Sequence, residues 1–244
     1  MAEHKGERRA ERVLRIGVRD LTARGVEVLT PEEAAEAAMS TPEAVAARMM
    51  AVCKVPDLFL DAKLDDFECV PHDVMPAFRD ATAKIKTLRQ PCSRPRVVLL
   101  CGDVGLGKTH LCCALLLDLA RAGQYVRFLD ARAYITEATD AATGKTADPW
   151  STILARYVRA RLVVLDEVAA AIRTPFGQER VEELINARYN QRRDTILTGN
   201  ATPEHFMNVV GDRVASRARE AGFIVVNGQD MRGRLLDRPS RDPT

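Results

Sequence analysis

The chain has 244 residues, 46% of them hydrophobic and 29% charged, with 36 lysines and arginines against 34 aspartates and glutamates for a formal net charge of +2. That is enough apolar sequence for one main core plus an appendage. The near balance excludes a global field that would commit the protein to nucleic acid or a membrane, so any such surface has to be a local patch.

No apolar run approaches the roughly 20 residues needed to cross a bilayer, and the opening MAEHKGERRAERVLR has no signal-peptide core. The expectation is a cytoplasmic protein with no membrane partner. Its six cysteines (Cys53, Cys69, Cys92, Cys101, Cys112, Cys113) form no CxxC pair and no metal-ligand spacing with the four histidines. They are expected to be reduced and mostly buried thiols.

In chain order, Glu7 to Ala23 sets apolar positions among basic ones, as an amphipathic helix with a basic face does. Thr30-Pro31-Glu32 and Thr41-Pro42-Glu43 each place an N-cap, a proline at the first helical position and acid in the first turn. They predict two short Ala-rich helices ending near Met39 and Cys53. The pair lacks the spacing and turn glycine of a DNA-reading helix-turn-helix, so the expectation for residues 1–54 is a helical region that offers a face to a partner. Residues 55–95 form a connector and a lead-in helix over Met75 to Leu88, ended by Pro91 and Pro95. From there strand and helix patterns alternate, with strands at Val97–Cys101, Tyr125–Leu129, Leu162–Leu165, Thr195–Thr198 and Phe223–Val226. Such alternation predicts a parallel five-stranded sheet between helices over 96–236, an α/β fold, followed by a disordered tail over 237–244.

The first strand runs into Gly102-Asp103-Val104-Gly105-Leu106-Gly107-Lys108-Thr109-His110 and then an apolar helix. This is a complete phosphate-binding loop. Its glycines let backbone amides ring a nucleotide's phosphates, and the helix start adds partial positive charge. Lys108 is placed to reach the β and γ phosphates of ATP and Thr109 to hold Mg²⁺. A second Gly-Lys-Thr at Gly144 to Thr146 lacks the upstream glycine and strand, and is a chance match. The third strand ends in Asp166-Glu167, at the carboxyl edge where ligands bind. Asp166 suits Mg²⁺ and Glu167 suits orienting the attacking water. Asn200, after the fourth strand, suits a hydrogen bond to that water or to the γ phosphate. Arg213 and Arg217, four apart, share a helical face, and a guanidinium suits the charge of a transferring phosphoryl group.

From Val55 to Arg234 the chain resembles the DnaC/DnaI-type helicase-loader ATPases, a branch of the AAA+ superfamily that includes the transposition helper IstB. The residues that carry the resemblance are VPDLFLDAKLDDF, GDVGLGKTHL, LVVLDEV, LINARYNQRRDTILTGN and GDRVASRARE followed by FIVVN. The resemblance implies that Lys108 and Thr109 are the Walker A pair, Asp166 and Glu167 Walker B, and Asn200 sensor 1. It implies that Arg217, with Arg213 second, is an arginine finger acting on an adjacent subunit. It also implies a protein that loads a replicative helicase onto single-stranded DNA. About one helix and one strand are expected after Asn200, too little for a C-terminal helical lid. Arg173 and Lys145 are named as DNA contacts on loops beside the sheet. The alternatives are an IstB-like helper acting with a transposase on duplex DNA, a small-molecule P-loop kinase and an ATP-gated scaffold without hydrolysis.

Overall fold

The computed structural model describes residues 41–64, 75–221 and 223–226, the side chains of 75–80 and Ala221 excepted. The expected helix over Glu7 to Ala23, the one ending near Met39, and the tail lie outside the described residues, as does Cys69. Two compact units are distinguished, Met1–Val45 and Ala46–Thr244.

All five expected strands form: β1 (Val97–Cys101), β2 (Val126–Asp130), β3 (Leu162–Asp166), β4 (Asp194–Gly199) and β5 (Phe223–Val225). They pair in the order β2-β3-β4-β1-β5 and every pair is parallel. A parallel sheet needs a crossover between successive strands, so both of its faces are covered. The strands show this by dividing their side chains: Val98, Leu100, Val164 and Ile196 enter one core, while Val97, Leu99, Val163, Leu165 and Leu197 enter the other.

The first core is closed by α2 (Met75–Thr87) and α3 (Lys108–Arg121), and by the end of α1 (Pro42–Cys53). Cys53 is fully buried there, Met49 and Met50 pack beside it, and Arg127 donates to the Val52 carbonyl at 2.7 Å. Those contacts anchor the end of α1 to the sheet. The second core is closed by α4 (Ala131–Ala142), α5 (Trp150–Val158), α6 (Val168–Ala171), α7 (Pro175–Asn190), α8 (Pro203–Val210) and α9 (Asp212–Ala221). Local sequence sets the helix starts: Asp130, Thr174 and Thr202 cap α4, α7 and α8 with their side chains, the last two ahead of a proline.

Arg188 is fully buried between these layers. Its guanidinium collects the carbonyls of Tyr157 and Ala160 at 2.6 and 2.8 Å, the Thr195 hydroxyl at 2.9 Å and the Asp194 carbonyl. Burial pushes its pKa down to about 9. The side chain ties the end of α5 and the start of β4 to α7, a structural use of charge.

One expectation changes. After Asn200 the chain makes two helices before β5 rather than one, because Gly211, at φ 83°, separates α8 from α9. No further helix follows β5 among the described residues. The cysteines behave as expected where described: Cys53, Cys101, Cys112 and Cys113 are buried free thiols, and Cys92 is exposed. Burial pushes Cys53 up to about 12 and Cys101 up to about 11, which keeps both protonated and unreactive. No described helix is long and apolar enough to cross a membrane.

Candidate nucleotide site

Because the strands are parallel, β3, β4 and β1, adjacent in the sheet, all deliver their last residues to one edge. That topology brings the phosphate loop, the acid pair and Asn200 together.

The loop leaves β1 at Gly102, whose φ is 148°. A Cβ there would lie 2.1 Å from the Val226 carbonyl oxygen, so no other residue fits. Gly105 and Gly107 take φ of 83° and 73°, and Gly107 precedes the first residue of α3, Lys108. The cradle that a polyphosphate needs is therefore built of backbone alone. Asp103 and Val104 stand exposed at the loop's tip, Leu106 is buried beneath it, and the His110 ring packs edge-on against Phe59 of the connector.

Lys108 is buried, its ammonium donating to the carbonyls of Gly102 (2.9 Å) and Asp103 (2.6 Å) and to Asn200 Oδ1 (2.7 Å). Desolvation lowers its pKa, opposed chiefly by Glu167, then Asp166. Asn200 turns its amide nitrogen to both Glu167 carboxylate oxygens, at 2.7 and 2.8 Å. One amide thus bridges the loop lysine and the acid placed to work on water.

Asp166 accepts from Thr109 Oγ1 at 3.0 Å and from the Thr198 hydroxyl. Burial raises its pKa, Thr198 and Thr109 hold it down, and Glu167 pushes it further up. Thr109 Oγ1 and Asp166 together offer one hydroxyl and one carboxylate, the hard oxygen set that suits Mg²⁺. Glu167 has φ 58° and ψ 37°, left-handed for a non-glycine residue, and its N–H donates to Thr198 Oγ1 at 3.1 Å. Thr198 is fully buried. Its hydroxyl touches both acids, a role the sequence reading missed. The available signal was a hydroxyl residue inside an apolar strand, two positions before Asn200.

Eleven of the predicted residues, Gly102 to His110 with Asp166 and Glu167, lie on this loop or at this edge, and Asn200 joins them through its two hydrogen-bond partners. The arginines do not join them. Arg217 donates to Asn186 of α7 in its own chain, and its guanidinium lies 4.4 Å from the centre of the Tyr189 ring. Arg213, one turn earlier, is exposed and its side chain makes no hydrogen bond among the described residues. The two residues named for DNA contact make only local contacts among those described. Arg173 is exposed and donates to the Ala170 carbonyl at 3.1 Å. Lys145 pairs with Asp140 at 3.7 Å, past the end of α4 that lies about 18 Å along the helix from its start beside β2.

The family described as IstB-like ATP binding protein matches residues 47–223. The chain belongs to this family. This IstB-like chain is also 30% identical over 146 residues to an ATP-binding protein in an insertion sequence of Mycobacterium tuberculosis, an alignment covering 60% of the chain and 55% of the relative. It thus spans about half of that relative's length. Among solved structures it is similar to the DnaC helicase loader, with a TM-score of 0.60 and 21% identity over 70% of this chain and 99% of that one. It is likewise similar to the replication initiator DnaA bound to AMPPCP and single-stranded DNA, with a TM-score of 0.61 and 20% identity over 75% and 54%. At these identities the two structures speak to the fold, which is the AAA+ fold expected from the sequence.

Proposed function

We propose that this IstB-like protein hydrolyses ATP and uses the cycle to switch its hold on DNA. The observation that carries the reading is the single hydrogen-bonded chain from Lys108 through Asn200 to Glu167, with Asp166 and Thr109 beside it. A kinase has to place a second substrate at the γ phosphate, whereas here a carboxylate and an amide stand ready to orient water.

The loop amides and Lys108 bind the phosphates, and a polyphosphate gives the ammonium charged acceptors in place of three neutral ones. Thr109 and Asp166 would hold Mg²⁺, which when bound would neutralise developing phosphate charge. Glu167, released from Asn200, accepts a proton from the attacking water, while Asn200 keeps the water in line. Arg213 or Arg217 is offered to an adjacent subunit, and for Arg217 that requires leaving Asn186 and Tyr189.

Two jobs fit such a switch. Loading a replicative helicase onto single-stranded DNA is supported by the resemblance over residues 55–234. Acting beside a transposase on duplex DNA is supported by the IstB family match and by the insertion-sequence relative. Preference for duplex over single strands separates them.

The test is ATP turnover and ATP binding by wild type, Glu167→Gln, Arg213→Ala and Arg217→Ala, across protein concentration and with either DNA. The expected result is a Glu167→Gln protein that binds ATP but turns it over about 10²–10⁴ times more slowly, and wild-type activity that rises with concentration through one of the two arginines. Full turnover by Glu167→Gln would refute the hydrolytic reading, and a rate indifferent to concentration, DNA and both arginines would refute the switch.

A further inference from the structure

The opposite, amino edge of the sheet carries its own pattern. Three neighbouring strands start behind arginine pairs: Arg94-Pro95-Arg96 before β1, Arg159-Ala160-Arg161 before β3 and Arg192-Arg193 before β4. The sheet order puts β3, β4 and β1 side by side, and the register sets Leu162 against Asp194 and Thr195 against Val97. These residues therefore form one row about 10 Å across at the usual strand spacing.

Two of the six arginines are engaged within the fold. Arg96 binds Asp194 and the carbonyls of Thr87 and Gln90, and Arg161 binds those of Leu88 and Arg89. These contacts serve carbonyls at and just past the end of α2. The other four are not used this way. Arg94, Arg159, Arg192 and Arg193 make no side-chain hydrogen bond or ion pair among the described residues, and the first three are exposed. The acids nearby are occupied: Asp194 by Arg96, Asp118 by Arg89 and Glu220 by Tyr189.

Arg192 adds an independent sign. It follows α7 in the left-handed conformation, φ 56°, while Arg193 N–H closes back on the Arg188 carbonyl at 3.0 Å. That is the helix-ending position where glycine fits without strain. An arginine is kept there at a conformational cost.

We infer that the amino edge, through Arg94, Arg159, Arg192 and Arg193, is a docking surface for the phosphate backbone of a nucleic acid. A protein partner would need an apolar centre, and among the described residues the exposed large apolar ones, Leu58, Leu60, Val104 and Val225, lie on other segments. A phosphate backbone needs only spaced cations. The row stands about 16 Å from the nucleotide loop, the length of five-residue β1, so ATP and DNA contact opposite edges of one sheet. The inference rests on the DNA-acting reading above and names the surface it left open.

The test is binding of a fluorescent single-stranded oligonucleotide and its duplex from 50 to 300 mM salt, with ATP, by wild type and by Arg94→Gln/Arg159→Gln/Arg192→Gly. Glycine at 192 relieves the left-handed strain, so melting temperature is expected to hold or rise, and ATP binding to stay unchanged. DNA affinity is expected to fall at least about tenfold, with the log–log salt slope smaller by about 2 on single strands and nearer 3 on duplex. The arm that loses more identifies the nucleic acid. Wild-type binding with unchanged affinity and slope in the variant overturns this surface alone. Wild type that binds neither DNA overturns both this surface and the DNA-acting reading. Unchanged DNA binding with lost self-association would assign the row to an acidic protein face and overturn the inference.

Discussion

Thr198→Val is the sharpest probe of the site, because valine has threonine's shape without its hydroxyl. In the wild type that hydroxyl is fully buried, donates to Asp166 and accepts the Glu167 N–H at 3.1 Å. Removing it strands a part-buried N–H and deprives a buried carboxylate of a donor, which together cost roughly 2–3 kcal/mol. For a chain of this size that is a fall in melting temperature of about 5–10 °C. The catalytic effect comes from Glu167, whose left-handed backbone is anchored at this N–H. With the anchor gone, the carboxylate loses its fixed place and turnover is expected to fall about 10–100-fold. ATP binding, which depends on Lys108 and the glycine loop, should stay within about threefold of wild type. Thr198→Ser restores the hydroxyl and should recover most of both losses. Thermal unfolding, nucleotide titration and steady-state turnover measure all three. A valine variant with wild-type melting temperature and turnover would refute the reasoning, and a serine variant as impaired as valine would show that the methyl, not the hydroxyl, matters.

Asn200→Ala removes an acceptor that competes with phosphate for Lys108, so nucleotide affinity should hold or rise by about two- to fivefold while turnover falls at least about tenfold; equal losses in both would contradict the bridge. Asp166→Asn is expected to raise the melting temperature of the nucleotide-free protein at pH 8 by about 2–4 °C, on the order of 1 kcal/mol, since it removes a buried charge, and to abolish turnover. The folded-state pKa of Asp166 is raised, first by burial, so its charge costs stability above that pKa and the cost disappears as pH falls through it. The advantage of the asparagine variant should therefore shrink as pH falls toward the ordinary carboxylate range, and a gap that widens with acid would refute the sign.

The parallel sheet was legible because its strands are short apolar runs buried on both faces, and each has a turn or cap signal beside it. Asp166, Glu167 and Asn200 were legible for a related reason. A parallel topology sends every strand's last residue to one edge, so a polar residue ending an apolar run is already located in space. Thr198 escaped because its side chain is polar inside such a run, where the pattern records only burial and its two partners are 31 and 32 residues away in sequence. The second helix after Asn200 escaped because Gly211 looks like any loop glycine until its φ of 83° is seen splitting one apolar pattern into α8 and α9.

The arginines show where residue type stops being informative. Arg188, Arg217 and Arg192 lie within thirty residues of one another, yet one is sealed among carbonyls, one rests on a tyrosine ring and one strains its backbone to face solvent. Sequence spacing cannot separate them, because what differs is how many acceptors the neighbouring helix ends leave open. Once those acceptors are counted, four of the arginines left over, Arg94, Arg159, Arg192 and Arg193, fall on three adjacent strand starts, at the edge opposite the one the glycine loop occupies. The topology that made the nucleotide site readable from strand ends makes the basic row readable from strand beginnings, provided the arginines already bound within the fold are set aside first.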